Sequence, residues 1–269
     1  MKDLEMLPVK PVKPVAGYIG GKRNLAGRLV ERIGAIPHGC YVEPFVGMGG
    51  VFFRRTARPR AEIINDISRD VTTLFRLLQR HFQQLLDVLK WQVTSREDFE
   101  RLVRVDADTL TDLERAARFL YLQRLSYGGN VGKRYFGTDV TSSARFDLTK
   151  LVSVLEAVHD RLTSVVIECK PYEELIVKYD RPGTLFYLDP PYHGSEDYYG
   201  KGLFAEVDFE RLSGLLKGLQ GHFILSLNDT PLIRELFAWA HIESVVHSFR
   251  FNGVTPANEL IISPRLSKE

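Results

Sequence analysis

The most specific chemistry in this sequence sits at the end of one apolar segment, where Leu185-Phe-Tyr-Leu188 runs into Asp189-Pro190-Pro191-Tyr192. The two prolines fix φ and remove two N–H donors. What remains is a rigid set of acceptors, the Asp189 carboxylate and the Pro190 carbonyl, beside the Tyr192 ring. Acceptors with a stacking face suit an aromatic amine. Such a nitrogen is a poor nucleophile because its lone pair is delocalised into the ring. Two acceptors gripping its N–H bonds favour a tetrahedral, nucleophilic nitrogen as it attacks. This is positional and electrostatic catalysis, with no need for a metal. The scattered histidines have no metal-ligand spacing. The bland alternative is a proline-rich turn after a strand, which is common for Pro-Pro and rarer for the whole tetrapeptide.

A second constellation lies upstream. Glu43-Pro-Phe-Val-Gly47-Met-Gly49-Gly50 follows a short apolar strand and precedes a helical pattern. In an open α/β sheet, ligands bind beyond the carboxyl ends of the strands, where the strand order reverses. Glycines there let the backbone approach a ligand, and a following helix N-terminus offers free N–H groups. A dinucleotide fingerprint needs a third glycine three residues after Gly49; Phe52 stands there, so the nicotinamide pattern fails. Asp66 lies 19 residues after Gly47 at the end of the next strand, where an acid accepts ribose hydroxyls. These residues suit a ribose-bearing ligand with no phosphate at the turn. They suit a structural tight turn with a helix-capping aspartate equally well. Gly17-Tyr18-Ile19-Gly20-Gly21-Lys22 has the residue types of a phosphate loop but not its spacing, since Ala16 and Arg23 replace the required glycine and hydroxyl residue. Alone, it reads as a glycine turn before a helix.

These segments need a scaffold. The 269 residues suit one large domain, or one domain carrying a smaller insertion. Hydrophobic residues at 44% and charged residues at 26% exclude disordered, collagenous and coiled-coil chains. A net charge of +2 excludes a wholly basic binder and leaves room for a local basic patch. Two cysteines, Cys40 and Cys169, make neither a disulfide framework nor a four-thiolate zinc site. Residues 1–14 have no apolar core of signal-peptide length and read as an extended, loosely ordered arm. No apolar run approaches the roughly 18 residues of a membrane span. The expectation is a cytoplasmic, reduced, soluble protein.

Periodicity predicts strands at 41–45, 61–64, 165–168, 184–188, 223–227, 242–249 and 259–263. Helices are predicted at 23–36 with Asn24 as cap, 51–57, 68–89, 148–162, 208–219 and 231–238. Between them, 96–121 is helical and charge-rich, and 127–137 is a Gly- and Tyr-rich loop. Seven strands alternating with helices imply a mostly parallel, doubly wound sheet. The interruption over 91–145 implies a helical insertion.

Taken together the motifs carry a resemblance. Asp189-Pro-Pro-Tyr192 resembles the catalytic motif of amino-methyltransferases, in the aspartate form typical of adenine N6 methylation. Tyr18-Ile-Gly-Gly-Lys22, Glu43-Pro-Phe-Val-Gly-Met-Gly49 and Asn65-Asp66 resemble the remaining motifs of Dam-type (alpha-group) DNA adenine methylases, in the same chain order. The resemblance spans nearly the whole chain except the middle. It implies an α/β fold with a Rossmann-like class I methyltransferase sheet. Residues 1–90 and 146–269 would form the catalytic domain and 91–145 an inserted, mostly helical target-recognition domain. It implies S-adenosylmethionine as cofactor. By position, Tyr18 and Lys22 would contact it from the N-terminal turn, Glu43, Phe45 and Gly47 would line its methionine and ribose side, and Asp66 would hold the ribose hydroxyls. Asp189 and Pro190 would grip the target amine next to the cofactor, with Tyr192 stacked on the adenine. The segment 169–172 would flank the cofactor adenine without a clear motif, and Ser226 to Asp229 lies at a strand end near the site.

An adenine inside a duplex hides its amine, so such an enzyme must flip the base out. That needs a basic, aromatic surface. Residues 119–145 carry Arg124, Lys133, Arg134 and Arg145 against Asp139, a local +3, interleaved with Tyr121, Tyr127, Tyr135 and Phe136. The resemblance makes this the DNA-binding segment, with Arg124, Tyr127, Asn130, Lys133, Arg134 and Tyr135 as contacts. The alternative is a solvated loop. The segment departs from the Dam pattern after Gly129-Asn130, so a GATC target does not follow. Arg54, Arg55, Arg58 and Arg60 read as an exposed helix end. Residues 193–201 form a polar loop expected to order on DNA. The reading is therefore a monomeric or weakly dimeric, cytoplasmic, bacterial or phage DNA adenine N6-methyltransferase acting on double-stranded DNA, without membrane or metal. Cytosine N4 or RNA adenine as target, and a catalytically silent nucleic-acid binder, stay open as alternatives.

Overall fold

The structure, a computed structural model, describes residues 5–22, 24–138, 141, 143–196, 202–250 and 254–265. Its central sheet has seven strands in the order β5-β4-β2-β6-β7-β9-β8. These are β2 (Cys40–Glu43), β4 (Ala61–Asn65), β5 (Val166–Glu168), β6 (Thr184–Leu188), β7 (His222–Asn228), β8 (His241–Arg250) and β9 (Val254–Ser263). The first five in that order pair in parallel, and β9 runs antiparallel to both β7 and β8. Every residue of β6 is buried, as expected for a parallel strand covered on both faces. The chain leaves β2 toward β4 and β5, then returns to β6 on the other side. The order reverses between β2 and β6, and there the carboxyl ends open a crevice.

Helices cover both faces. On one side pack α1 (Ala26–Ala35), α2 (Arg69–Arg80), α3 (Phe82–Leu89), α4 (Arg96–Arg104), α5 (Asp112–Leu125) and α6 (Leu148–Leu162), sharing one apolar core. On the other pack α7 (Tyr172–Tyr179), α8 (Glu206–Lys217) and α9 (Pro231–Leu236). The helices of 91–145 are thus continuous in packing with α2 and α3: Phe99, Phe119, Leu120 and Leu122 belong to the same cluster as Leu74 and Leu78.

All seven expected strands are present, with β9 starting at Val254 rather than at 259, and α6 matches residue for residue. Several details differ. The arm is not loose throughout, because β1 (Leu7–Pro8) pairs with β3 (Ala57–Arg58). The helix expected over 51–57 is one 3₁₀ turn at Phe52–Arg54, and the chain turns extended at Arg55. Arg55 is not on an exposed helix end; its guanidinium turns inward onto Glu62 at 2.6 Å and lies over the Tyr41 ring. The helix expected over 68–89 breaks at His81, whose φ of −128° and ψ of 42° are non-helical. The helical stretch 96–121 divides between α4 and α5. Helix α1 starts after Leu25, which offers no side-chain cap, rather than at Asn24. Helix α7 is an addition.

The 127–137 loop is closed at its base. Ser126 and Phe136 form an isolated bridge, Tyr127 N donates to Tyr135 O at 2.8 Å, and Gly137 N donates to Leu125 O at 2.8 Å. Its inner side docks on the N-terminal glycine turn. Ile19 N donates to Gly129 O at 3.1 Å, and the buried Gln123 amide donates to both Gly17 O and Gly129 O at 2.9 and 2.7 Å. Gly129 sits at φ +69°, and a Cβ there would lie 2.9 Å from Gly17 C and Tyr18 N. Gly129→Ala is therefore expected to part the loop from the Tyr18 turn without unfolding the sheet. Hydrogen exchange checks this: the Ile19 amide exchanges at least about ten-fold faster while β6 amides keep their protection.

Candidate active site

The crevice between β2 and β6 holds a cavity of about 630 Å³. Its wall includes Tyr18, Lys22, Glu43, Phe45, Gly47, Asp66 and Asp189, drawn from four chain segments. Strand geometry explains the gathering. Glu43 ends β2, Asp66 follows β4 and Asp189 follows β6, so three parallel strands deliver three carboxylates to one edge.

Each carboxylate is held differently. Asp66 accepts from Gly47 N and from Ser68 N, both at 2.9 Å. Burial nonetheless raises it to about 6, against the lowering effect of those two bonds. Glu43 accepts from the Tyr41 hydroxyl at 2.6 Å. Burial lifts it to about 8; Tyr41 and Arg55 oppose the rise, and the nearby negative charge of Asp189 adds to it. Asp189 stands at about 6, raised by burial, lowered by Lys22 and raised again by Glu259. Ser226 Oγ also donates to its Oδ1 at 3.2 Å.

Lys22 is the hub. Its ammonium lies 2.5 Å from Asp189 Oδ1, 3.1 Å from Glu259 Oε1 and 2.7 Å from the Tyr192 hydroxyl. Burial alone would lower its pKa. Asp189, Tyr192 and Glu259 overcome that and hold it well above the ordinary lysine value, so it is charged. The Tyr192 hydroxyl donates to Glu259, and its half-buried ring lies beneath the ammonium. Tyr192 is thus braced inward by its oxygen.

Residues at the end of β7 brace the motif. Asn228 clasps His193 through both amide atoms, accepting from His193 N at 3.0 Å and donating to His193 O at 2.9 Å. Of the Ser226 to Asp229 stretch, Ser226 touches Asp189 directly. The segment 169–172 lies off the wall: Cys169 is exposed, and Tyr172 packs behind Phe45 and Phe204. The wall there is Ile67, Leu203 and Phe204 instead. Neither cysteine lines the cavity. Sequence reasoning missed Glu259 as a site residue. The signal is an acid placed directly before an apolar run, Glu259-Leu-Ile-Ile, inside β9.

The expected DNA contacts divide. Tyr127 and Tyr135 are 51% and 67% exposed, and Lys133 is exposed beside them. Asn130 shapes the turn, its side chain accepting from Lys133 N at 3.0 Å. Arg124 points inward, donating to the carbonyls of Val15 and Arg145 and reaching the cavity wall. Arg134 lies half-buried over the Phe119 ring, where burial lowers it to about 10. Tyr198, Tyr199 and Lys201, and Asp139 of the +3 segment, lie outside the described residues. Among the described residues no helix is long and apolar enough to cross a membrane, and no cluster of His, Cys, Asp and Glu could hold a metal ion.

Comparison with known proteins gives a consistent pattern. A family model described as "D12 class N6 adenine-specific DNA methyltransferase" matches residues 18–250. The chain is 26% identical over 260 residues to a type II methyltransferase, M1.LlaDCHI, of Lactococcus lactis subsp. cremoris, covering 90% of each. It is 23% identical over 237 residues to the type II methyltransferase M.CviBI of a Paramecium bursaria Chlorella virus, covering 86% of this chain and 89% of that one. It is 26% identical over 255 residues to a DNA adenine methylase of Salmonella typhi, covering 88% and 89%.

Proposed function

The chain belongs to the D12 class of N6 adenine-specific DNA methyltransferases, and from that premise we propose how its residues divide the work. The observation that carries the reading is the shared cavity: the Asp189 turn and the Glu43–Gly47 turn open into one space. The methyl donor is S-adenosylmethionine, which supplies an electrophilic methyl group on a sulfonium. The donor set fits it. The cavity volume lies in the roughly 300–1,000 Å³ range of cofactor sites. Asp66 is pinned by two backbone N–H groups and keeps lone pairs for ribose hydroxyls. Glu43, Phe45, Gly47, Tyr18 and Lys22 line the remainder, with Ile67 and Leu203 as apolar walls. A cation bound there is also favoured by the Asp189 carboxylate.

Asp189 and Pro190 hold the target amine. Their oxygens accept its N–H bonds, turn its lone pair toward the methyl group and stabilise the charge that grows on nitrogen. Transfer is direct and in line, with no covalent bond to the enzyme; that neither cysteine lines the cavity supports this. The base reaches the site by leaving the duplex, at a cost of a few kcal/mol in unstacking. The 91–145 segment serves target recognition. Tyr127, Lys133 and Tyr135 face the DNA, with Asn130 setting their turn and Arg124 and Arg134 holding the loop from inside.

Labelled methyl transfer to duplex DNA followed by nucleoside analysis checks the chemistry. Label on N6-methyladenine is expected from the native protein and none from folded Asp189→Ala; native-rate transfer by that variant would refute the role of Asp189. The acid limb follows from the raised Asp189 value. The carboxylate form is the acceptor, so kcat/KM, which reports the free enzyme, holds above about pH 6 and falls as pH drops through it. A flat profile down to pH 5 would speak against it. Lys133→Ala is expected to weaken DNA binding while leaving cofactor affinity alone, and to reduce the salt slope by about 1. Equal loss of both affinities removes Lys133 from the DNA interface.

A further inference from the structure

The acceptor assigned to the target amine is already engaged in the structure. Asp189 Oδ1 takes the Lys22 ammonium at 2.5 Å, and the Lys22 side chain is only 4% exposed. The incoming amine meets a carboxylate that already holds this ammonium on one oxygen, and whatever share of the Asp189 charge it draws weakens the Lys22 pair. A buried ammonium that loses its carboxylate finds little water to replace it. Without a second partner, that weakening would leave the Lys22 charge underpaired.

Glu259 is that partner. It stands 3.1 Å from the same ammonium, is 3% exposed, and accepts the hydroxyl of Tyr192, which itself accepts from Lys22. Its arrival depends on topology. Strand β9 runs antiparallel, and its register with β7 sets Glu259 opposite Asn228, the last residue of β7, so Glu259 reaches the carboxyl edge of the parallel strands. The parallel strands bring acids to that edge from their ends; β9 brings one from the opposite direction.

Resting on the reading of Asp189 as the amine acceptor, we propose that Glu259 is a positioning residue for methyl transfer: it takes over the Lys22 ammonium while Asp189 changes partner from lysine to the target amine. No covalent bond changes and no proton moves in this exchange. Lys22 trades one carboxylate for another within reach, and Asp189 trades one set of N–H donors for another. The buried charge stays paired throughout.

The groups facing Asp189 are Lys22 from the N-terminal turn, Glu259 from β9, Ser226 from β7, Glu43 from β2, Tyr187 from its own strand and Tyr192 from its own turn. Of these, Glu259 pushes Asp189 upward and Lys22 pulls it down. Removing the charge of Glu259 therefore lets Asp189 stay ionised to lower pH while tightening its hold on Lys22.

Glu259→Gln is the test, since it keeps shape and hydrogen-bonding capacity and removes the charge. The variant should bind S-adenosylmethionine within about two-fold of native by calorimetry, and lose kcat toward adenine in duplex DNA by roughly ten- to hundred-fold. The acid limb of its kcat/KM profile should move to lower pH. Glu259→Asp should recover part of kcat. Duplex DNA with 2-aminopurine at the target position gives a readout without turnover. That base has no 6-amine to compete for Asp189, so its fluorescence rise on binding should match the native protein. A kcat within about three-fold of native overturns the proposal, as does an acid limb moving upward, or cofactor binding and base flipping falling in step with kcat. If the native protein puts no label on adenine, the Asp189 reading itself fails, and this outcome is separate from any result with Glu259→Gln.

Discussion

Lys22 carries a positive charge to a place water barely reaches. Taking such an ion out of water costs several kcal/mol, and only carboxylates held at the right distance offset it. Asp189 comes from the turn after β6, Glu259 from β9 and Lys22 from the N-terminal glycine turn. One ammonium thereby joins segments separated by most of the chain. It also fixes where the Asp189 turn stands, because two of its polar contacts, Asp189 and Tyr192, lie within that tetrapeptide. The Asp189 turn is rigid in backbone through its prolines and rigid in side chain through this lysine.

A second buried charge group works behind the sheet. Glu62 on β4 accepts from Arg55 and, with both oxygens, from Arg161 on α6. Arg55 stacks over Tyr41, and the Tyr41 hydroxyl donates to Glu43 on the cavity wall. The chain of contacts runs from the helix layer to the site. Its members leave few options, since losing one partner of a buried pair strands the other, typically at 3–5 kcal/mol. The orientation of Glu43 is thus set from beneath, by groups that never reach the cavity.

The sheet was legible because a buried parallel strand is a continuous apolar run, as β6 and most of β7 are, and the remaining strands carry shorter apolar stretches between turn residues. The three strand-end acids Glu43, Asp66 and Asp189 were legible for a related reason: a carboxylate closing an apolar run has to be used or paired. What escaped was direction. Arg55, Arg124 and Arg134 are cations among aromatics and glycines, and composition cannot tell a guanidinium folded inward from one facing water. Glu259 escaped because its place at the site depends on β9 being antiparallel, a property of pairing that no local pattern carries. The break at His81 and the short α7 fall below what periodicity resolves over so few residues. The pairing of β1 with β3 joins two segments too short to show alternation.

The loop over 127–135 leaves α5 and returns through a single closed base, the Ser126–Phe136 bridge and the Gly137 to Leu125 bond. Its attachment to the cofactor side runs through main-chain atoms and the Gln123 amide, not through the exposed side chains. Such a socket accepts new contents. Doubling the length of a flexible loop costs only about 0.6 kcal/mol in closure entropy. Its outward residues can therefore be exchanged, lengthened or shortened while the anchor stays in place. On the proposal that this loop faces DNA, divergence of target sequence can proceed at the loop tip while the anchor and the cavity are inherited unaltered.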